Sequence, residues 1–243
     1  MTASHKQLTG RVSREVIGQT EIPRLPSDLR EGYHRLRDLT GMCSDAMDTL
    51  GLAGAVPASV LRPTDPGARI VGQAITVLNV ARADSAGDAF RANDNRLGDI
   101  EAHNLAEPGD VLVIQGVDGI SSMGSISAAL GKRQGEAGAI VDGAVRDISH
   151  SRAIGYPVWA RSVSPITGKW RIETAGINVP VRIAGVAVNP GDLVLADEVG
   201  VCFIPFAKAA DILAVAQKSA ASEEERQKLI AEGISVVEFA KRR

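Results

Sequence analysis

Apolar runs separated by glycine-rich turns are sharpest between residues 110 and 161. Residues 110–114 (DVLVI) predict a buried strand and residues 116–124 a Gly/Ser-rich turn. Residues 125–134 predict a helix with Ile126, Ala129 and Leu130 on one face. A strand over 137–141, a short helix over 147–154 and a strand over 158–161 complete this part. Residues 69–80 alternate in part and are β-branched, which predicts another strand. After residue 181 the pattern breaks into short strands at 186–188, 192–196 and 201–204. A long helix over 206–231 follows, with Glu223, Glu224, Glu225 and Arg226 on its exposed part.

The amino-terminal part is more polar. Residues 1–26, with Pro23 and Pro26, read as an arm that lies on a neighbouring subunit or stays partly mobile. Ser27 and Asp28 cap a helix carrying Leu29, Tyr33, Leu36 and Leu39. Ser44 and Asp45 open a second, stopped by Gly51. Residues 83–93 read as a loop and 94–105 as a helix closed by Pro108-Gly109. Mixed βαβ units with a β-rich second half indicate an α/β fold in one domain over 27–243.

Composition narrows the function classes. The 243 residues are 44% hydrophobic and 23% charged, which suits a globular soluble protein. A formal net charge of -2 gives no basic face for nucleic acid or an anionic membrane. No apolar run is long enough to span a bilayer. Cys43 and Cys202 match no zinc or redox spacing and read as buried thiols, the expectation for a cytoplasmic protein. Aromatics are only 3%, so the core is built from small and branched side chains.

Three features carry possible chemistry. In GISSMGSIS (119–127) a flexible turn runs into a helix start, where free amides and the helix dipole favour a carboxylate or phosphate; taken alone the motif reads more simply as an ordinary strand-to-helix turn with Ser125 as a cap. In VDGAVRD (141–147) an apolar strand delivers Arg146 and Asp147 side by side. Arg suits a carboxylate and Asp a hard divalent cation; a surface ion pair with Asp147 capping the next helix is the plainer alternative. Both features follow strands at their carboxyl ends, where open α/β sheets place ligands. The third, PGDLVLADEVGV (190–201), shares a Pro-Gly-Asp turn with residues 108–110; Asp192 and Asp197 read as turn residues. His5, His34, His103 and His150 have neither ligand spacing nor a paired acid and read as bystanders. No Ser-His-Asp set appears.

The order PGDVLVIQG (108–116), GAIVDGAVRD (138–147) and NPGDLVLADEVGVCFIP (189–205) resembles the RraA-like family, which includes 4-hydroxy-4-methyl-2-oxoglutarate aldolases. The resemblance implies a swivelling β/β/α sandwich with helical extensions at both ends, trimers that pair into hexamers, and sites between subunits. It implies a metal-dependent lyase cleaving a C–C bond in a pyruvate-type oxo-acid, with Mg2+ or Mn2+, and in some members oxaloacetate decarboxylation. Non-catalytic regulators of ribonuclease E belong to the same family, and another oxo-acid lyase or hydrolase could use the same site. By this resemblance Arg146 binds the pyruvyl carboxylate and oxo group, Asp147 holds the metal, and the amides of Gly124, Ser125, Ile126 and Ser127 hold the carboxylate. Ser125 stands where the aldolases carry an acid that orients a proton-shuttling water. Glu223, Glu224 or Glu225 of a neighbouring subunit is then a source of a carboxylate.

Overall fold

The computed structural model describes residues 6–242. The chain opens with α1 (Ser27–His34), α2 (Leu39–Thr49), β1 (Ala55–Pro57), β2 (Arg62–Pro63) and the long β3 (Ile70–Ala81). Helices α3 (Ala86–Arg91) and α4 (Asp99–Leu105) lead to β4 (Val111–Gln115), β5 (Ser121–Met123) and α5 (Ser125–Gln134). Then come β6 (Gly138–Val145), α6 (Ile148–Ala153), β7 (Val158–Val163) and β8 (Ile172–Ile177). The short strands β9 (Val181–Ile183), β10 (Val186–Val188), β11 (Leu193–Ala196) and β12 (Gly200–Ile204) precede α7 (Ala209–Ala231) and α8 (Val236–Lys241).

One mixed ten-stranded sheet runs in the order β1-β12-β11-β3-β4-β6-β7-β2, with β5 on β6 and β8 on β3, while β9 and β10 form a separate ribbon. The centre is parallel: β3 pairs β4, β4 pairs β6, and β6 pairs β7. Parallel strands covered on both faces are apolar throughout. Accordingly Val111, Leu112, Val113 and Ile114 are all fully buried. One hydrophobic cluster joins this sheet to α4 and α5, another joins β11 and β12 to α1, α2 and α7. The α/β class expected from the pattern is the one observed.

The twin Pro-Gly-Asp turns behave alike. Gly109 and Gly191 have φ of 89° and 87°, a region in which L side chains are strained. Asp110 accepts from Glu107 N at 2.7 Å and Asp192 from Asn189 N at 2.8 Å. Burial pushes both carboxyl groups above the usual range. Asp197 accepts from Thr40 N and Oγ1 and from Val199 N, tying α2 to the β11–β12 turn. These aspartates serve turns, as read.

Several local expectations change. Residues 1–5 lie outside the described residues, but residues 6–26 pack on their own chain rather than standing off it. Ile17, Ile22 and Leu25 are buried, Ile17 bridges to Ile177, and Thr9 N donates to Glu101 at 2.9 Å. Residues 83–93 contain α3. The helix expected over 94–105 begins only at Asp99, because Asp94 is tied to Arg82 and Arg96 and Asn93 takes a left-handed φ of 51°. Helix α5 has the expected bounds but buries another face. Ser127, Ala128 and Gly131 are inside, and Ile126 is 72% exposed. Polar partners behind the helix, described below, draw that face inward.

Gln73 on β3 fastens the amino-terminal segment. Its side chain accepts from Leu25 N at 2.8 Å and donates to Pro23 O at 2.8 Å and Gly191 O at 2.9 Å, all within the core. Gln73→Leu leaves these three backbone groups unpaired, each worth about 1–3 kcal/mol when buried. We expect a clear drop in the urea unfolding midpoint. An unchanged midpoint would show that residues 23–25 contribute nothing to folding stability.

Candidate active site

Strands β4 and β6 end side by side, with Gln115 opposite Asp142. The chain leaving β4 loops out and rejoins the sheet as β5, parallel to the end of β6, where Arg146 N donates to Met123 O at 3.1 Å. Gly116 allows this close return, since a Cβ there would lie 2.8 Å from Ser122 Oγ and 3.1 Å from Asp142 O. The two sequence features, residues 119–127 and 141–147, therefore meet in space.

Asp147 decides what the meeting point can do. Its backbone is left-handed, φ 56° and ψ 34°, an uncommon and costly state for a residue with a Cβ. It precedes α6 but its side chain does not cap that helix. Instead Asp147 Oδ2 accepts from Ser125 N at 3.0 Å and lies 3.5 Å from Arg146 Nε. The Ser125 amide and the Arg146 charge hold the carboxyl below the usual carboxylate range. Its ionisation therefore favours the folded state at neutral pH, and that contribution is lost as pH falls through the lowered value. The capping alternative for Asp147 is excluded by this geometry.

The start of α5 faces the same place. The first helical bond is Ala128 N to Gly124 O, so the amides of residues 125–127 have no acceptor within the helix. Ser125 N is taken by Asp147, which leaves those of Ile126 and Ser127 for an anion. A cavity of about 290 Å³ opens here, lined by residues 121–127, Arg146, Asp99 and Lys169 among others. Ser122, in its wall, carries a buried Oγ that has no hydrogen-bond partner among the described residues.

The structure thus brings together Gly124, Ser125, Ile126, Ser127, Arg146 and Asp147. It adds Asp99 at the start of α4 and Lys169, whose Nζ lies 4.6 Å from the Trp170 ring. Neither stands in a motif: Asp99 opens a helix that the pattern started five residues early, and Lys169 sits in an irregular stretch before β8. Glu223 and Glu224 are not brought to this place within the chain. They line a separate groove of about 380 Å³ between α1 and α7.

The view of the histidines as bystanders fails for His103. It is 1% exposed, with Nδ1 2.7 Å from Glu136 Oε1 and Nε2 2.8 Å from Ser127 Oγ. Its partners lie 24 and 33 residues away, so spacing gives no hint of them. His5 lies outside the described residues.

Among the described residues no three His, Cys, Asp or Glu side chains converge as a metal site. The donor set nonetheless fits a hard ion that keeps much of its water. Asp147 is ionised and 39% exposed at its side chain, and magnesium is commonly held by one or two carboxylates with water and substrate oxygens completing the shell.

Gly124 permits the convergence. A Cβ there would meet Asp147 Oδ2 at 2.7 Å and Arg146 at 3.1 Å. Gly124→Ala must push the pair aside, and overpacking of this kind typically costs about 1–3 kcal/mol. We expect oxalate with Mg2+ to bind roughly tenfold more weakly by calorimetry, with the melting temperature lowered by several degrees and the protein still folded. Undiminished oxalate affinity would show that this corner does not bind the acid.

Comparison with known proteins points the same way. Residues 40–203 match the family model described as RraA-like: Aldolase/RraA. A protein of Halalkalibacterium halodurans named "Putative 4-hydroxy-4-methyl-2-oxoglutarate aldolase" is 32% identical over 200 residues, covering 82% of this chain and 87% of that one. Among solved structures, an uncharacterized protein of Pseudomonas syringae aligns with a TM-score of 0.75 at 25% identity, covering 91% of this chain and 96% of that one. Streptomyces coelicolor RraAS2, described as an unusual member of the RNase ES inhibitor RraA protein family, aligns with a TM-score of 0.70 at 27% identity, covering 85% and 99%.

Proposed function

The chain belongs to the RraA-like family, and we propose that it is a lyase that cleaves a C–C bond in a pyruvate-type 2-oxo-acid, of the 4-hydroxy-4-methyl-2-oxoglutarate aldolase kind. The observation that carries this reading is a small cavity lined by Arg146 and the open helix start at Gly124, with Asp147 beside it, bonded to Ser125 N and 3.5 Å from Arg146 Nε. A surface ion pair needs no left-handed aspartate, whereas a ligand-binding corner commonly stores such strain.

In this reading the amides of Ile126 and Ser127 receive the substrate carboxylate. Arg146 reaches the carboxylate and the 2-oxo oxygen. As the C–C bond breaks, negative charge develops on that oxygen, and a guanidinium already in place stabilises it without reorganisation. Lys169 adds a second cation in the same wall. Asp147 would hold Mg2+ or Mn2+ beside Gly124. The ion, when bound, supplies Lewis-acid polarisation of the oxo group. Oxaloacetate decarboxylation gives the same pyruvate enolate and would use the same residues.

A second reading is a non-catalytic regulator of ribonuclease E. Two observations favour it: the likeness to Streptomyces coelicolor RraAS2 and the hydroxyl of Ser125 where the aldolases have an acid. The lyase reading is better supported, because a protein-binding surface requires neither the recessed cavity nor the orphaned Ser122 hydroxyl within it.

The test is a screen of 2-oxo-acids for pyruvate release with and without Mg2+. We expect magnesium-dependent release from the parent. We expect Asp147→Ala to abolish it with the protein still folded, since this carboxylate is 39% exposed and bonds Ser125 N rather than the core. Equal magnesium-dependent turnover in both proteins would refute the role of Asp147. No release from any oxo-acid would favour the regulator.

A further inference from the structure

Aldol cleavage of a 4-hydroxy-2-oxo-acid needs a group that takes the hydroxyl proton and later returns one to the enolate carbon. Ser125 is a poor base at neutral pH. Behind the start of α5 lies a continuous chain of buried polar side chains that reaches the cavity wall. Ser127, the third residue of α5, lines the cavity and is 3% exposed. Its Oγ is 2.8 Å from His103 Nε2; His103 Nδ1 is 2.7 Å from Glu136 Oε1; Tyr156 OH donates to Glu136 Oε2 at 2.6 Å. Gly131 lets these groups pack, since a Cβ there would lie 2.6 Å from both Glu136 Oε2 and Tyr156 OH.

The hydrogen bonds have a direction. Where the imidazole is neutral, its hydrogen sits on Nδ1, which meets the Glu136 carboxylate, and Nε2 keeps its lone pair. Ser127 then donates its hydroxyl hydrogen to Nε2. A hydroxyl in contact with a neutral imidazole, itself oriented by a carboxylate, is the arrangement that makes serine able to exchange a proton in enzymes of unrelated folds. Elsewhere in a protein four buried polar groups would be a costly way to fill a core.

Resting on the lyase reading, we propose that Ser127, His103 and Glu136 form the acid–base relay of this site, with Ser127 touching substrate and His103 and Glu136 acting through it. Ser127 Oγ takes the proton of the 4-hydroxyl as its own proton passes to His103 Nε2. The O–H electron pair becomes the carbonyl of the departing fragment, and the C–C pair becomes the enolate of pyruvate. The imidazolium rests against the Glu136 carboxylate. The proton then returns through Ser127 to the enolate carbon, giving pyruvate and restoring the neutral imidazole.

The experiment compares the parent with Ser127→Ala, His103→Gln and Asp99→Asn. Two rates are measured, pyruvate release from 4-hydroxy-4-methyl-2-oxoglutarate and from oxaloacetate, together with oxalate affinity, all with Mg2+. Positioned proton transfer contributes roughly 10²–10⁴-fold. The expected result is a kcat on the hydroxy acid at least about a hundredfold lower in Ser127→Ala and His103→Gln, with oxalate affinity kept. Decarboxylation of oxaloacetate has no hydroxyl proton to remove and falls less. The relay is overturned if both variants keep the parent rate, if both substrates fall equally, if oxalate binding is lost in parallel, or if Asp99→Asn alone erases turnover. A parent that releases no pyruvate from either substrate instead refutes the lyase reading itself, and the relay with it.

Discussion

The hydrogen bond from Ser125 N to Asp147 Oδ2 is the contact on which the site depends, because it joins two segments that the sheet only brings near each other. Strand pairing sets β4 beside β6 and returns β5 to the end of β6. It does not fix which way Asp147 points. That is done by the left-handed turn at the end of β6, which aims the carboxylate back at the start of α5 instead of along α6. One bond then has three consequences. It occupies the first free amide of α5, places an ionised carboxylate beside Arg146, and leaves the next two amides for a ligand.

Small residues make this geometry possible. Gly116, Gly124 and Gly131 each stand where a methyl group would meet a polar atom at 2.6–2.8 Å. They let the return of β5, the Arg146–Asp147 corner and the buried His103 chain share a space that larger residues would fill. The low aromatic content belongs to the same design, since a core of valine, isoleucine and alanine packs flat against parallel strands. Trp159 and Tyr156 are exceptions with polar duties: Trp159 donates to Asp197 O, and Tyr156 to Glu136.

What could be read from sequence followed from how local each signal was. The strands around residues 111, 138 and 158 announced themselves as apolar runs between turns, and α5 was bounded correctly by Ser125 and Gly135, whose φ of 79° closes it. Arg146 and Asp147 stood out because two charged residues closed an apolar strand. Short edge strands such as β1, β2 and β8 left no signal, because two to six residues paired across the fold have no periodicity of their own. The segment 6–26 was legible only as polar; that it packs inward depends on Gln73, nearly fifty residues away. The buried face of α5 was misjudged for a related reason. Ile126, the most apolar residue of its first turn, points outward, while Ser127 is drawn inside by a histidine that only the folded chain brings near.

That inversion links the fold to the chemistry. A helix start that binds an anion presents its backbone to the cavity, and the side chains of its first turn fan out around it. Ser125 and Ile126 emerge at the open side, and Ser127 turns to the wall behind. A carboxylate at position 125 would stand beside Asp147, competing with it for Arg146 and for any bound cation. A serine there removes that competition but also removes the base. The residue that can replace it must lie close to the same amides without adding a second negative charge to the mouth of the site. A hydroxyl backed by a buried imidazole satisfies both demands. It is neutral where it meets the substrate, and the carboxylate that stabilises the transferred proton is held two groups away, behind the helix, where its charge opposes neither the substrate nor Asp147. The same separation explains why His103 and Glu136 are fully buried although neither is needed to close the core.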